Sequence, residues 1–251
     1  MQGHLRNNAL VVIFLCIFLF LSISSEQFAT TSNILLMLIQ LAPLGIVVVG
    51  QTLVIITGGI DLSVGSVAAL TGIIAAKLIQ GHTPFHIPAL IAIIIALIAA
   101  TIVGWIHGWI ISRRRLSPFI VTFGSLSLIK GIALVYSNGA PIPIPTDLSR
   151  FIWRVGTYSR PLPLFILALV GFAMAYLLRS TKLGRYAFAI GSNETVTRMS
   201  GVRVDYYKIQ VYMISSFLAG LSGILLMTRI RSGAYTTAED YALLSVAAVV
   251  I

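Results

Sequence analysis

A single carboxylate lies in the most apolar part of this chain. Asp61 stands in the stretch IITGGIDLSVGSVAALTG, residues 55–72, which carries no other charged side chain. An ionised carboxylate in hydrocarbon is costly unless it is paired or hydrated. We therefore expect Asp61 either to satisfy backbone amides as a cap or to face a polar pathway.

The residues around Asp61 predict a break between two helices. Gly58 and Gly59 can end the helix that precedes it, because glycine adopts left-handed backbone geometry without strain. Asp61 is then placed to accept hydrogen bonds from free amides near Ser63 and Val64 at the start of the next helix. Backbone that leaves helical geometry inside a membrane needs a partner in the protein or in a water-filled cavity.

Small and polar neighbours leave two alternatives open for this break. Gly65 and Gly72 remove side chains from one side of the following helix, which allows close helix packing in lipid. Gln51 either hydrogen-bonds between helices or faces a path. The break is thus a tight cap between packed helices, or it lines an aqueous pathway as broken helices of transporters do.

The composition places these residues in a membrane protein. Of 251 residues, 58% are hydrophobic and only 10% are charged, whereas soluble domains carry about a quarter charged residues. The net charge is +10, but the basic residues cluster between apolar runs, which indicates membrane topology and not nucleic-acid binding. We predict an all-α, polytopic bundle of membrane helices.

Eight apolar runs are visible, and the last is about half the length of a span, which needs about 20 residues. The chain is therefore predicted to be one transmembrane domain, residues 1–251, cut short at its C-terminus. The runs are Ala9–Ser22, Ile34–Thr57, Leu62–Ile79, Ile87–Ile111, Leu116–Tyr136, Leu162–Leu178, Ile209–Thr228 and Tyr241–Ile251.

The distribution of Lys and Arg favours a cytoplasmic N-terminus, because cytoplasmic loops collect these residues. The short loop SRRRLSP and the basic segment between the sixth and seventh runs, residues 181–208, would then lie inside. In that segment Asn193 or Ser192 can cap a short helix that Gly201 ends. It is either a helix that docks a cytoplasmic partner or a solvated loop.

The sequence offers little support for ATP hydrolysis or metal binding by this chain. No G-x-x-x-x-G-K-[ST] phosphate loop is present, so the chain is not expected to hydrolyse ATP. The four histidines, His4, His82, His86 and His107, are scattered and predict packing or interfacial roles. Lys130 lies inside the fifth run, where it either snorkels or hydrogen-bonds in the bundle, or contacts Asp61 or a polar permeant.

Three blocks resemble a known family, the ribose-type permease subunits of bacterial ABC importers, in family order. They are GQTLVIITGGIDLSVGSVAALTG (50–72), SPFIVTFGSLSLIKGIALVYSNG (117–139) and GRYAFAIGSNETVTRMSGV (184–202). The third is similar to the cytoplasmic coupling loop of that family, although Thr195, Val196 and Thr197 stand where the family often has alanines. About ten spans are expected in a full-length member.

The resemblance implies an importer for a sugar, in the bacterial inner membrane, with no cofactor on this chain because a partner ATPase uses the ATP. Implied partners are ATPase subunits, a second permease copy or paralogue, a periplasmic or lipid-anchored sugar-binding protein and membrane lipid. The alternatives are a truncated inactive permease and an ion-coupled secondary transporter or channel. Pathway candidates are Gln51, Gly58, Gly59, Asp61, Ser63, Gly65 and Lys130; coupling-loop candidates are Gly184, Gly191, Asn193, Glu194, Thr195 and Gly201.

Overall fold

The computed structural model describes residues 9–80, 88–153 and 161–251, and these are almost entirely helical. Two-residue strands β1 (Ile142–Pro143) and β2 (Ser232–Gly233) pair antiparallel. The helices are α1 (Ala9–Ser24), α2 (Thr31–Ile56), α3 (Val64–Ile79), α4 (Ala89–Arg113), α5 (Pro118–Tyr136), α6 (Thr146–Trp153), α7 (Leu162–Ser180), α8 (Lys182–Ser192), α9 (Glu194–Met199), α10 (Val204–Ile230) and α11 (Tyr241–Val250).

The chain divides into two compact units, and the first ends at Leu41. Within it, Phe18 packs edge-on against Phe28, with ring centroids 5.5 Å apart. Thr30 caps α2, because its hydroxyl accepts a hydrogen bond from the amide of Asn33 at 3.3 Å. This unit therefore holds α1 and the first turns of α2.

The second unit begins at Ala42 and is built around α10. Glycines bring α10 close to its neighbours: a Cβ on Gly220 would lie 2.8 Å from Ala100 Cβ on α4. A Cβ on Gly72 of α3 would lie 3.2 Å from the carbonyl oxygen of Gly223 on α10. Such close approach stabilises helix pairs in lipid, where burial of apolar surface supplies no driving force.

The observed helices confirm a polytopic helical membrane protein. Five are long and apolar enough to span a bilayer: α2, α4, α5, α7 and α10. Three shorter apolar helices, α1, α3 and α11, account for the other predicted runs. The third run, predicted to start near Leu62, corresponds to α3, whose first helical residue after the break is Val64.

Two helices in the loops were not predicted. In the Pro-rich segment after α5, helix α6 buries Trp153, whose indole nitrogen donates to the hydroxyl of Thr228 at 2.9 Å. In the basic segment, α8 precedes the short helix that the sequence indicates. Their sequences are too short and too mixed in polarity to stand out as spans.

Candidate functional site

The break after α2 is a glycine-dependent C-terminal cap. Gly58 has a φ of 77°, in the left-handed region. Its amide donates to Ile55 O at 2.9 Å, and the amide of Gly59 donates to Val54 O at 3.1 Å. This pair of hydrogen bonds is the Schellman motif, which satisfies the last carbonyl groups of a helix. The prediction that Gly58 and Gly59 end the second helix is confirmed.

Asp61 is fully buried and its carboxylate is held locally. Oδ1 accepts hydrogen bonds from the amide of Ser63 at 2.9 Å and from its hydroxyl at 2.6 Å. Oδ2 accepts from the hydroxyl of Ser215 on α10 at 3.4 Å. Asp61 therefore fixes the turn that leads into α3, but the predicted bond to the amide of Val64 is not formed. The reason is position, since Ser63 and not Asp61 precedes the first helical residue.

Two further side chains hold the backbone of the break. Gln51, also fully buried, faces the main chain of Asp61. Its amide can be oriented so that the nitrogen donates to Asp61 O and the oxygen accepts from Asp61 N, both at 3.2 Å. The hydroxyl of Thr122 on α5 lies 3.1 Å from Ile60 O and 2.9 Å from Pro118 O, so its one proton is shared between these two carbonyl groups. The irregular backbone is thus partnered by protein, as membrane depth requires.

Buried polar groups that the sequence did not single out surround this break. Tyr212 on α10 packs over Gly59, where an added Cβ would lie 2.5 Å from its hydroxyl oxygen. That hydroxyl and Ser216 Oγ have no hydrogen-bond partner within the described ranges. His107 on α4 contacts Ser125 Oγ through Nε2. Their roles depend on packing between distant helices, which local sequence patterns do not report.

Lys130 does not join this cluster. Its ammonium pairs with Glu239 at 2.8 Å, so within the described residues the expected contact with Asp61 is absent. Both side chains remain nearly half exposed, 43% and 46%. A pocket of about 50 Å³ beside the pair is also lined by Gly65 and Ser66 of α3. Gly65 therefore lies beside Lys130 in this pocket.

The basic segment folds into two short helices with clear caps. Thr181 caps α8 by accepting from the amide of Gly184 at 3.3 Å, and Gly184 packs on the end of α7. Asn193 caps α9, since its Oδ1 accepts from the amide of Val196 at 3.0 Å. Gly201, at a φ of 83°, ends α9. The predicted capped helix ending at Gly201 is confirmed.

An ion network fixes α9 to the start of α10. Glu194 pairs with Lys208 and, at 3.1 Å, with Arg198. Arg198 also pairs with Asp205 at 2.7 Å. Burial raises the pKa of Glu194, but the hydrogen bonds and charges of Lys208 and Arg198 outweigh it, so this pKa lies below its ordinary value. The helix is thereby held in one orientation.

The exposed side of α9 carries apolar side chains, and the preceding helix α8 contacts the end of α2 that leads into the break. Val196 and Met199 are 56% and 83% exposed, and Thr195 is exposed between Glu194 and Val196. Gly191, at the end of α8, packs so closely that an added Cβ would overlap the carbonyl oxygen of Ile56. Ile56 is the last residue of α2. The basic segment therefore touches the helix end that precedes Asp61.

In the part of the chain that the structure describes, no three His, Cys, Asp or Glu side chains are grouped as metal ligands would be. The candidate residues thus lie in three places: a buried polar break around Asp61, a capped basic segment in contact with it, and the neighbourhood of Lys130 and Gly65. Hydrogen bonding at the break suits positioning of helices, and the exposed apolar residues of α9 suit contact with another protein.

Comparison with known proteins gives a consistent result. The family model described as "Branched-chain amino acid transport system / permease component" matches residues 33–251. The chain is similar to the ribose import permease protein RbsC of Escherichia coli K12, with 37% identity over 254 residues, 100% of this chain and 78% of the relative.

Two further relatives are the ribose import permease proteins RbsC of Haemophilus influenzae and Bacillus subtilis. The first is 36% identical over 235 residues, 92% of this chain and 71% of the relative. The second is 36% identical over 233 residues, with the same shares covered. No solved structure gives a significant match.

Proposed function

Because this chain belongs to the family of permease components of branched-chain amino acid transport systems, matched over residues 33–251, we propose that it forms a membrane pathway for a pentose or related sugar and docks its ATPase through α9. It is a transmembrane permease subunit of a carbohydrate ABC importer, and a transport subunit rather than an enzyme. The sugar follows from the relatives named above, whose permeant is ribose.

The observation that carries the docking proposal is the capped helix α9. Asn193 and Gly201 define its two ends, and the ion network around Glu194 fixes it to α10. Val196 and Met199 project from it as an apolar pair at i and i+3 spacing, on one side of the helix. A small helix with an apolar outer side fits a cleft in a partner, because its backbone is already ordered before binding.

The break around Asp61 is the part of the pathway that docking can move. Gly191 contacts Ile56 directly, so a displacement of α8 and α9 would also displace the end of α2. Gln51 and Ser63 hold the break through hydrogen bonds, which can reform after small shifts. We propose that ATP-driven closure of the ATPase acts on this junction and alternates access to the two sides of the membrane.

The protein is a multi-pass protein of the inner membrane. We propose that its N-terminus is cytoplasmic, because this orientation puts the arginines of residues 113–115 and the basic segment 181–208 inside. The loop with β1 and α6 then faces outside, toward a sugar-binding protein. The same orientation places α9 where an ATPase can reach it.

The proposed assembly contains two ATPase subunits, a second permease copy or paralogue and a periplasmic or lipid-anchored sugar-binding protein. No cofactor is proposed for this chain, since ATP is used on the ATPase. A neutral sugar needs a path with hydroxyl, amide and small side chains more than one with fixed charge.

Site-specific crosslinking tests the docking proposal. Single cysteines at Thr195 and Met199, in a Cys16→Ser background, are expected to crosslink to the co-expressed ATPase, with yields that change on adding ATP. These positions are exposed and lie outside the ion network, unlike Glu194. Ala140→Cys, exposed on the outer loop, is the matched control and should give no crosslink.

Either of two results contradicts the proposal. If an ATPase that co-purifies with the membrane fraction crosslinks to neither cysteine, α9 is not the docking helix. If this chain alone, reconstituted without an ATPase, accumulates ribose when an ion gradient is the only energy source, it is a secondary transporter. Ribose uptake by the complete assembly, measured in parallel, tests the sugar assignment separately.

A further inference from the structure

The segment between α10 and α11, residues 231–240, lies along α3. At its start, a Cβ on Gly233 would lie 2.8 Å from Ile73 Cα and 2.9 Å from Ala76 Cβ. At its end, the carbonyl oxygen of Ala238 packs against Gly65. The segment therefore runs antiparallel to α3 for about three turns, or about 16 Å at ~1.5 Å per residue.

This path takes non-helical backbone deep into the membrane. Lys77 near the end of α3 donates to Tyr136 O at 2.8 Å, so α3 and α5 end at the same level. Gly65 lies 14 residues before Ile79, the last residue of α3, and thus about 21 Å below that level. The hydrocarbon core is about 30 Å thick. With the shared end of α3 and α5 taken as the outer surface of this core, Ala238 and its neighbour Glu239 lie inside it.

Charges at this depth are expensive unless they meet water or a polar partner. Lys130 lies six residues before the end of α5, about 9 Å below it. Its pairing with Glu239 neutralises both charges, but each side chain is still nearly half exposed. Asp240 is exposed next to them. Lipid-facing irregular backbone is not tolerated, so this side of the segment lines an aqueous cavity or packs against another protein surface.

The pocket beside the pair has the groups that a sugar needs. Ser66, Tyr235 and Thr237 line it together with Lys130 and Glu239. A carboxylate accepts hydrogen bonds from neighbouring sugar hydroxyls, an ammonium donates to hydroxyl or ring oxygens, and serine and threonine hydroxyls do both. A tyrosine ring offers an apolar side for the C–H groups of a sugar. A pocket this small holds part of a sugar, which suits passage and not storage.

We propose that residues 231–240 form a re-entrant segment whose tip, the Lys130–Glu239 pair with Thr237, contacts the hydroxyl groups of the permeant in the translocation pathway. This inference rests on the proposed function, because it takes the permeant to be a sugar. It assigns a contact site inside the pathway, separate from the break around Asp61.

Thiol labelling tests the aqueous exposure with both charges intact. Thr237→Cys in a Cys16→Ser background is expected to react with a membrane-impermeant thiol reagent added outside. D-ribose, supplied with the binding protein and ATP, should slow the reaction several-fold, whereas leucine should not. An unreactive cysteine, or one that ribose leaves unaffected while uptake proceeds, overturns the proposal. A disulfide between two permease copies would also overturn it, because the pair would then lie at a subunit interface.

Transport by charge variants tests the contact. Lys130→Met and Glu239→Gln are each expected to lower the maximal rate of ribose uptake about tenfold, with ATPase co-purification unchanged. Lys77→Met, which removes a lysine at the outer end of α3, should stay within about twofold of the unmodified protein. The exchanged pair, Lys130→Glu with Glu239→Lys, should recover part of the rate if the two charges act together at the permeant.

The outcomes separate the two proposals. If the unmodified assembly imports ribose and all charge variants import it equally well, the contact site is wrong and the proposed function stands. If the unmodified assembly imports no sugar, the proposed function fails first. If the charge variants fail to reach the membrane, the proposal is decided by the thiol labelling of Thr237→Cys.

Discussion

At the scale of single residues, the buried carboxylate of Asp61 organises the break by local geometry. Both hydrogen bonds to Oδ1 come from Ser63, and that to Oδ2 comes from Ser215. A buried polar group left without a partner costs about 1–3 kcal/mol. The hydrogen-bonding shape of this side chain therefore matters to the fold, whatever its charge contributes to transport.

We predict that Asp61→Ala lowers the free energy of unfolding by about 1–3 kcal/mol, because it leaves the buried amide and hydroxyl of Ser63 unpaired. Asp61→Asn keeps the acceptor oxygen and should stay within about 1 kcal/mol of the unmodified protein. Thermal unfolding of the two variants in detergent measures the difference. Equal stability of the alanine and asparagine variants would show that the carboxylate oxygens do not hold the turn.

Sequence patterns at this scale predicted contacts between residues close in sequence and missed contacts between residues far apart in sequence. Glycine and aspartate spacing indicated the break, since caps are formed by residues a few positions apart. The partnership of Asp61 with Ser215, and the position of Tyr212 over Gly59, join residues more than 150 positions apart. Lys130 was expected near Asp61 as one option, but its partner Glu239 lies in a segment that had no recognisable motif.

At the scale of elements, α8 and α9 act as one body attached to α10 and pressed against the end of α2. The rings of Tyr186 on α8 and Tyr207 on α10 have centroids 4.7 Å apart. Gly191 provides the contact with Ile56. The caps of α9 were predictable from Asn193 and Gly201, whereas α8 was not, because its mixed sequence is typical of a charged loop as much as of a helix.

Gly191→Ala is predicted to reduce sugar uptake at least several-fold while ATPase docking persists, because the added methyl group must push α8 away from Ile56. Gly171→Ala is the matched control, since Gly171 is also helical but faces open space. Both changes gain about 1 kcal/mol of helix propensity. Uptake and ATPase co-purification distinguish them; equal uptake by the two variants contradicts a role for the contact.

The orientation of α9 is predicted to be pH-dependent at low pH only. The pKa of Glu194 lies below its ordinary value in the folded protein, so its contribution is complete above the unfolded pKa of about 4.3. That contribution is lost as the pH falls through the folded-state pKa. Hydrogen exchange of α9, corrected for intrinsic rates, should be constant from neutral pH to about pH 5 and should rise below about pH 4.

Glu194→Gln is the control for this pH effect. It keeps a hydrogen-bonding side chain but has no carboxylate to titrate, so α9 should exchange faster at neutral pH and show a flatter pH profile. A profile identical to that of the unmodified protein would mean that Lys208 and Arg198 do not act through Glu194.

At the scale of the whole molecule, composition and hydropathy predicted the class of protein but not its interior. Each of the eight apolar runs corresponds to a helix within the described residues, and five of those helices are of full spanning length. The re-entrant path of residues 231–240 was missed, because non-helical membrane segments have no periodic pattern. The glycines that bring α4 and α10 together were likewise invisible until the pairing of the helices was known.

Labelling in intact cells tests the orientation of the whole chain. In the Cys16→Ser background, Ala140→Cys is predicted to react with an impermeant maleimide from outside. Met199→Cys and Gly3→Cys should react only after the membrane is permeabilised, because both are assigned to the cytoplasm by the distribution of Lys and Arg. Labelling of Gly3→Cys in intact cells would reverse the assigned orientation.

The pairing of β1 with β2 has a consequence for biogenesis. Ile142 and Pro143 leave the ribosome well before Ser232 and Gly233, with α6 to α10 between them. Contacts of such large sequence separation form late, because the intervening chain must be ordered first. In the orientation proposed above, the Pro-rich loop crosses the membrane before α10 is inserted, so β1 stays unpaired on the outer side until β2 arrives.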